Sequence, residues 1–311
     1  MRKIMLNGQW ELAEAGNDRL CEVQVPGSVL SGLYGAGKIE DPFYRTNEDV
    51  TRELFRKDYE FSRTFVAAED ILKEEKIILV CEGLDTLADI YINGQKAGSA
   101  DNMHRTWKLD VKEFLHSGEN QIRIVFRSVF KYIEAYEYED NKEIHYVPCG
   151  GMKGNQLIRK AHCMFGWDWG PQTIDAGIFR DIYLEAYSHP RIEDVKITQV
   201  HGDNAVDVCT TVAVSGDAVD KCQVRVTIQE DAESVCGHRT GANDRKTEAH
   251  VCKVGETVSA NNNPAVLTSS IHNPKLWWPN GYGKQPLYTL TIQLKAGETV
   301  LDTREYRIGL R

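Results

Sequence analysis

None of the eight cysteines (21, 81, 149, 163, 209, 222, 236 and 252) is spaced from another as Cys-x-x-Cys. A structural zinc site normally takes its ligands from paired thiolates, so none is expected. The nine histidines never fall as His-x-x-x-His or His-Glu-x-x-His, so no metal site is expected from imidazoles either; His104, His145 and His162 read as surface or hydrogen-bonded side chains. There is no Gly-x-Ser-x-Gly elbow and no Gly-x-x-x-x-Gly-Lys-Ser/Thr loop, which removes the commonest serine-nucleophile and phosphate-binding signatures. No cofactor motif replaces them. No apolar run approaches the ~20 residues of a membrane span. The basic pair Arg2-Lys3 is not followed by a long apolar core, so the start does not read as a signal peptide. The cysteines therefore read as free, buried thiols in a reducing, cytoplasmic compartment, several of them, such as Cys209 and Cys222, inside apolar strand patterns. Cationic surface is scarce as well. With 37 Lys and Arg against 46 Asp and Glu, the net charge is −9, and no basic cluster offsets it. Neither a nucleic-acid nor an anionic-membrane partner is expected.

What is present is alternation. The chain has 311 residues, enough for about two domains. Trp10 and Leu12 follow the Asn7-Gly8 turn, and Val23 and Val25 precede Pro26-Gly27. Tyr59, Phe61 and Phe65 alternate with polar residues, with the charged Arg63 intruding on the apolar side. Residues 88–92 run into Asn93-Gly94, the strongest short hairpin signal. Trp107, Leu109 and Val111, then Ile122, Ile124 and Phe126, repeat the period of two. Only residues 129–138 show helical spacing. Residues 139–156 form a polar, glycine-containing loop, and Ile182, Leu184 and Ala186 make a last strand before Ser188-His189-Pro190, taken as a domain boundary. Beyond it, alternation is cleaner: Val206 to Val214, Cys222 to Ile228, Leu290 to Leu294 and a strand near residues 301–308. A polar stretch, 229–246, reads as a loop. About seven short strands in this half indicate an immunoglobulin-like sandwich, without the Cys…Trp…Cys spacing of antibody domains. The fold class is all-β, with one sandwich in residues 1–188 and another in 189–311.

One stretch breaks the pattern. Residues 158–172 place Asp168 between Trp167 and Trp169, with Gly166 and Gly170 on either side and Pro171 closing the run. Sugar C–H faces stack on indoles and carboxylates accept sugar hydroxyls, so the run suits an exposed sugar site. It suits equally a buried Trp pair at a sandwich corner, with Asp168 capping a turn. Asp168 is the one acid set among aromatics that would desolvate it, and both glycines are placed to relax the backbone. Acid/base hydrolysis of glycosides needs two carboxyl groups. No second acid stands beside Asp168, and most others lie in charged runs such as 137–143 and 230–233. The residues offer a candidate binding site and no catalytic set.

The sequence resembles the N-terminal part of a β-mannosidase of glycoside hydrolase family two. The likeness is carried by Leu6-Asn7-Gly8-Gln9-Trp10, Val25-Pro26-Gly27-Ser28-Val29, Asp41-Pro42-Phe43-Tyr44, Gly83-Leu84-Asp85-Thr86-Leu87-Ala88 and Ile90-Tyr91-Ile92-Asn93-Gly94. It is most specific at Ile158-Arg159-Lys160-Ala161, at residues 165–171 and at residues 276–288. The resemblance implies a galactose-binding-like jelly roll (1–188), an immunoglobulin-like sandwich (189–311), and then a (β/α)8 barrel carrying both catalytic glutamates of a retaining mechanism. Such a barrel takes about 250 residues. None of them lies before Arg311, so the 311 residues are expected to lack both glutamates and to be inactive alone. Asn47-Glu48 imitates the family's acid/base dipeptide but falls in a first-sandwich pattern. The resemblance further implies that Trp167 and Asp168 hold a terminal mannose of a manno-oligosaccharide, Trp167 as a wall and Asp168 accepting hydroxyls. Arg159 would support Asp168, and Trp169 would complete the aromatic setting. Trp277, Trp278 and Pro279 are expected to serve packing and contact between domains. Residues 306–311 would lead into the barrel, the chain's expected partner. Two other functions stay open: a stand-alone carbohydrate-binding module, and a piece of another family-two exo-glycosidase (β-galactosidase, β-glucuronidase or exo-glucosaminidase). A purely scaffolding role for both sandwiches is a third.

Overall fold

The computed structural model of the chain describes residues 2–135, 151–152, 154–231, 254–260 and 263–311. The fold is all-β and divides into two compact units, Met1–Ser188 and His189–Arg311. Most of the loop expected at 139–156, the end of the expected helix beyond Ala135, His145, Cys149, Cys236 and Cys252, and most of the 229–246 loop lie outside the described residues.

In the first unit, alternation decides which face each strand buries. Gly8–Glu14 buries Trp10 and Leu12, Tyr59–Ala67 buries Tyr59, Phe61, Phe65 and Ala67, and Gly118–Phe126 buries Ile122, Ile124 and Phe126. A strand apolar on one face needs a second layer to cover it. Antiparallel pairing assembles a six-stranded sheet in the order Arg19–Val25, Gly8–Glu14, Tyr59–Ala67, Gly118–Phe126, Ala88–Ile92, Gln95–Ala100. A four-stranded sheet, ordered Arg2–Met5, Ile182–Tyr187, Lys76–Cys81, Trp107–Asp110, adds Leu79, Cys81, Ile182 and Leu184 to the same core. Phe61 and Phe126 meet edge to face there, with ring centroids 5.4 Å apart. Two register shifts interrupt the larger sheet, at Leu12/Ala13 against Arg19–Val25 and at Ile90/Tyr91 against Gln95–Ala100. Asn93 and Gly94 both take positive φ, 49° and 80°, as a two-residue type I′ hairpin turn requires.

Arg63 has a structural reason to sit on the apolar side of its strand. Its Nη1 donates to the carbonyls of Leu6 (2.7 Å) and Asn7 (2.8 Å), and the guanidinium lies 5.9 Å from the centre of the Trp10 ring. The ladder between Gly8–Glu14 and Tyr59–Ala67 ends at Glu11–Ser62, one residue earlier. The guanidinium thus supplies hydrogen bonds where strand pairing stops.

The expectation of a single helix is too low. Besides Val129–Ala135, helices form at Val29–Gly35, Asn47–Leu54 and Glu69–Leu72. Val29–Gly35 is nucleated by a capping box between Ser28 and Ser31 and buries Val29, Leu30 and Leu33. Asn47–Leu54, which contains the Asn47-Glu48 dipeptide, is highly charged and buries Thr51. Glu48 and Asp49 in its first turn and Arg52 in its last suit the helix dipole. A small third sheet joins Gly27–Ser28, Gly177–Ile178 and Leu84–Asp85. Gly177 faces both Ser28 and Asp85, and a Cβ there would meet the Gly27 carbonyl at 2.6 Å, so a side chain would force these strands apart.

The second unit pairs Arg191–His201, Ala205–Ser215 and Ala265–His272 in one sheet. The other runs Val254–Ser259, Gln223–Glu230, Tyr288–Ala296, Thr299–Ile308. Val206, Val208, Val212, Val214, Val224, Val226, Ile228, Leu290, Ile292 and Leu294 form its core, the immunoglobulin-like arrangement expected from their spacing. Cys21, Cys81 and Cys222 are buried free thiols, while Cys209 is half-buried. Cys163 departs from the expectation: it is exposed, on the short 3-10 turn His162–Phe165 whose buried side chain is Phe165.

Candidate functional site

Residues 158–176 leave the first sandwich and return to the same place. Ile158 and Ile174 are buried at the two stems. Between them the chain is tied by Lys160, whose side chain is fully buried. Its Nζ donates to both carboxylate oxygens of Asp85, each at 2.5 Å, and to the backbone carbonyl of Asp175 at 2.7 Å. Asp85 also accepts from the Thr86 hydroxyl. One ammonium group therefore joins two points 15 residues apart and fixes both to the small third sheet.

Asp175 completes the neck. Its Oδ1 accepts from the backbone N–H groups of Leu30 (3.1 Å) and Ala176 (2.8 Å). Burial pushes its pKa upward; the hydrogen bonds from Ser28, Leu30 and Ala176 and the charge of Lys160 pull the other way, and burial prevails.

Beyond the neck, His162–Phe165 forms a 3-10 turn whose Phe165 plugs the core. Gly166 then turns the chain outward at φ 89°. The Trp167 N–H donates to the Gly170 carbonyl at 3.1 Å and the Gly170 N–H to the Trp167 carbonyl at 3.4 Å, closing a four-residue turn. Gln172 accepts from Arg52 Nη1 at 2.6 Å, which ties the loop to the helix Asn47–Leu54.

The turn presents Trp167 (44 % exposed) and Trp169 (82 % exposed) to solvent, with ring centroids 6.2 Å apart and planes inclined by 42°. Asp168 lies exposed between them. The buried-corner alternative does not hold for these rings, and the desolvating setting expected for Asp168 is absent, because both neighbouring indoles point outward. Gly166 needs its glycine conformation; Gly170 does not have positive φ. Arg159 is exposed and its carbonyl accepts from the Met103 N–H at 3.0 Å. No ion pair joins it to Asp168 among the described residues. The buried basic residue is its neighbour, Lys160. Lys160 and Asp85 lie within stretches that carry the family resemblance, but neither they nor Asp175 was among the expected site residues. The local signal was Asp85 itself, an acid set with Thr86 between Leu84 and Leu87.

In the second unit, Trp277 serves packing. Its backbone N–H donates to the Leu310 carbonyl at 2.8 Å, its ring lies against Gly309, and the Arg311 guanidinium stands 5.5 Å from the ring centre. Trp278 is half exposed and rests on Gly283, and Tyr282 is largely exposed. Among the described residues no group of three or more His, Cys, Asp or Glu is placed to hold a metal ion. No helix among them is long and apolar enough to cross a membrane. The Trp167–Asp168–Trp169 turn presents two indole faces and a carboxylate to solvent.

Comparison with known proteins agrees with this architecture. Residues 10–180 match the glycosyl hydrolase 2 galactose-binding domain-like model, and residues 191–311 match glycosyl hydrolases family 2. The chain is 29 % identical to beta-mannosidase B of Emericella nidulans, covering 99 % of this chain and 35 % of that protein. It is 29 % identical to the beta-mannosidase of Mus musculus, over 92 % of this chain and 32 % of that one. Among solved structures, the beta-D-mannosidase of Dictyoglomus thermophilum superposes with a TM-score of 0.82 at 29 % identity, covering all of this chain and 36 % of that one. A beta-glucuronidase of Ruminococcus gnavus, at 16 % identity and a TM-score of 0.61 over all of this chain and 45 % of that one, shares the fold alone. The chain thus spans about a third of the length of the mannosidases it resembles. With both units matched, the chain belongs to glycosyl hydrolase family 2.

Proposed function

We propose that these residues are the two-sandwich N-terminal part of a β-mannosidase that releases terminal, non-reducing β-D-mannose from manno-oligosaccharides by a retaining mechanism. In this reading the catalytic glutamates belong to a barrel outside the 311 residues. The first unit lends that barrel one wall of its substrate pocket: Trp167 stacks on the sugar and Asp168 accepts its hydroxyls. Trp169 flanks the acid, and Arg159 stands on the stem of the same loop. The observation that carries the reading is the exposed Trp–Asp–Trp turn held on a buried ionic neck, in a chain similar along its length to β-mannosidases. The free thiols support a reducing, cytoplasmic setting.

The test is steady-state hydrolysis of an aryl β-mannoside by the full-length polypeptide carrying Asp168→Ala or Trp167→Ala. KM should rise, and preference over aryl β-galactoside and β-glucuronide should narrow. Unchanged KM and kcat in both variants would remove the turn from the pocket. A stand-alone carbohydrate-binding module is the second reading, favoured by the exposure of the two indoles. It predicts that the two sandwiches alone bind mannobiose in calorimetry and lose that affinity with Asp168→Ala.

A further inference from the structure

We propose that Lys160 is a positioning residue for the Trp167–Asp168–Trp169 turn, setting where the turn points rather than touching the sugar. This role rests on the reading of that turn as a wall of the substrate pocket.

The reciprocal hydrogen bonds of Trp167 and Gly170 fix the shape of the turn but not its aim. Aim is set where the loop leaves and rejoins the sandwich. There Lys160, on the outgoing segment, donates through Nζ to Asp85 and to the carbonyl of Asp175 on the returning segment. Asp85 is in turn paired with Gly177, two residues past Asp175, so the ammonium is referenced to the sheet on both sides. A buried apolar side chain could fill the same space at less desolvation cost, but could not join the two stems. A sugar pocket needs its groups within about 0.5 Å of the productive geometry, which a loop gains only from such supports.

The experiment compares KM, kcat and Tm of the full-length polypeptide, on an aryl β-mannoside, for Lys160→Met, Lys160→Arg, Asp168→Ala and the double variant Lys160→Met/Asp168→Ala. Lys160→Met should cost about 10- to 100-fold in kcat/KM, as a displaced binding group does. Lys160→Arg should recover part of the loss. The double variant should be little worse than Asp168→Ala alone, because Lys160 acts through the turn; a purely structural role would give losses that multiply. If Lys160→Met does not fold, Lys160→Met/Asp85→Asn takes its place, since it leaves no buried charge unpaired. Wild-type kinetics in that folded variant, or multiplying losses with Asp168→Ala, would overturn the inference. If Asp168→Ala itself leaves kinetics unchanged while Lys160→Met impairs them, the sugar-wall reading fails, and this role with it.

Discussion

Lys160 Nζ stands 2.5 Å from both carboxylate oxygens of Asp85, and both side chains are buried. Removing one partner strands the other charge in the interior. Lys160→Met should therefore lower the stability of the first unit by about 3–5 kcal/mol. Lys160→Met with Asp85→Leu, which removes both charges, should recover much of that loss. Urea unfolding followed on the first unit checks both; equal stability of the single and double variants would mean the pair is not electrostatically coupled.

Asp175 gives a pH signature of the opposite sense to most carboxylates. Its pKa in the fold is raised by burial above the ordinary value it has in the unfolded chain. The folded state therefore binds the proton more tightly. The associated stability is fully present below the unfolded value and is lost as pH rises through the raised folded value. Asp175→Asn should keep the bonds from Leu30 and Ala176, which both end on Oδ1, and should abolish this dependence. Urea midpoints across the acidic range should show the wild type gaining on the variant as pH falls. A gap constant with pH, or one that widens the other way, counts against it.

The two indoles of the turn should matter little to folding. Trp167→Ala and Trp169→Ala remove exposed rings, and each should shift stability by no more than about 0.5 kcal/mol. Trp10→Ala, at a buried position with its Nε1–H on the Leu6 carbonyl, should cost about 3–5 kcal/mol. Chemical unfolding of the three variants makes the contrast.

Gly166 joins the core to the turn at φ 89°, and a Cβ there would come within 2.4 Å of Gln172 Cγ. Gly166→Ala should cost about 1–3 kcal/mol from the backbone alone, since φ 89° with ψ 167° is open almost only to glycine. It should also displace Gln172 from Arg52. A Tm equal to wild type would show that the turn can relax into another path.

Thiol labelling should separate the cysteines by environment. Burial pushes Cys81 up to about 12, leaving almost no thiolate at neutral pH, while Cys163 is exposed. Native-state alkylation with peptide mapping should mark Cys163 early and Cys81 only on unfolding. Comparable rates at both positions would contradict the burial described.

Strands were legible wherever one face packs and the other is wet, as at Trp10 and Leu12 or Val206 to Val214, because that asymmetry writes itself into every second residue. The helix Asn47–Leu54 was not, since a segment burying chiefly Thr51 has no apolar stripe to display. Val29–Gly35 is short and contains two glycines, and its start depends on a serine pair that also suits a turn. At the candidate site local residues marked out the Trp167–Asp168–Trp169 triplet but left open whether it is buried or exposed. Its support could not be read from them: whether Lys160 is buried or solvated is decided by Asp85, 75 residues earlier. Arg63 was visible as an exception, and only its carbonyl partners explain it.

The two register shifts of the six-stranded sheet fall in its outermost pairings, one beside each edge strand. A bulge coils the edge and spoils the flat row of donors and acceptors that a foreign strand would need. Arg19 and Glu22 on one edge, and Lys96 on the other, add charge to the same margins. The sheet is thereby guarded against lengthening by strand addition from a second copy, a protection that matters most while the polypeptide is still being synthesised and its other surfaces are uncovered.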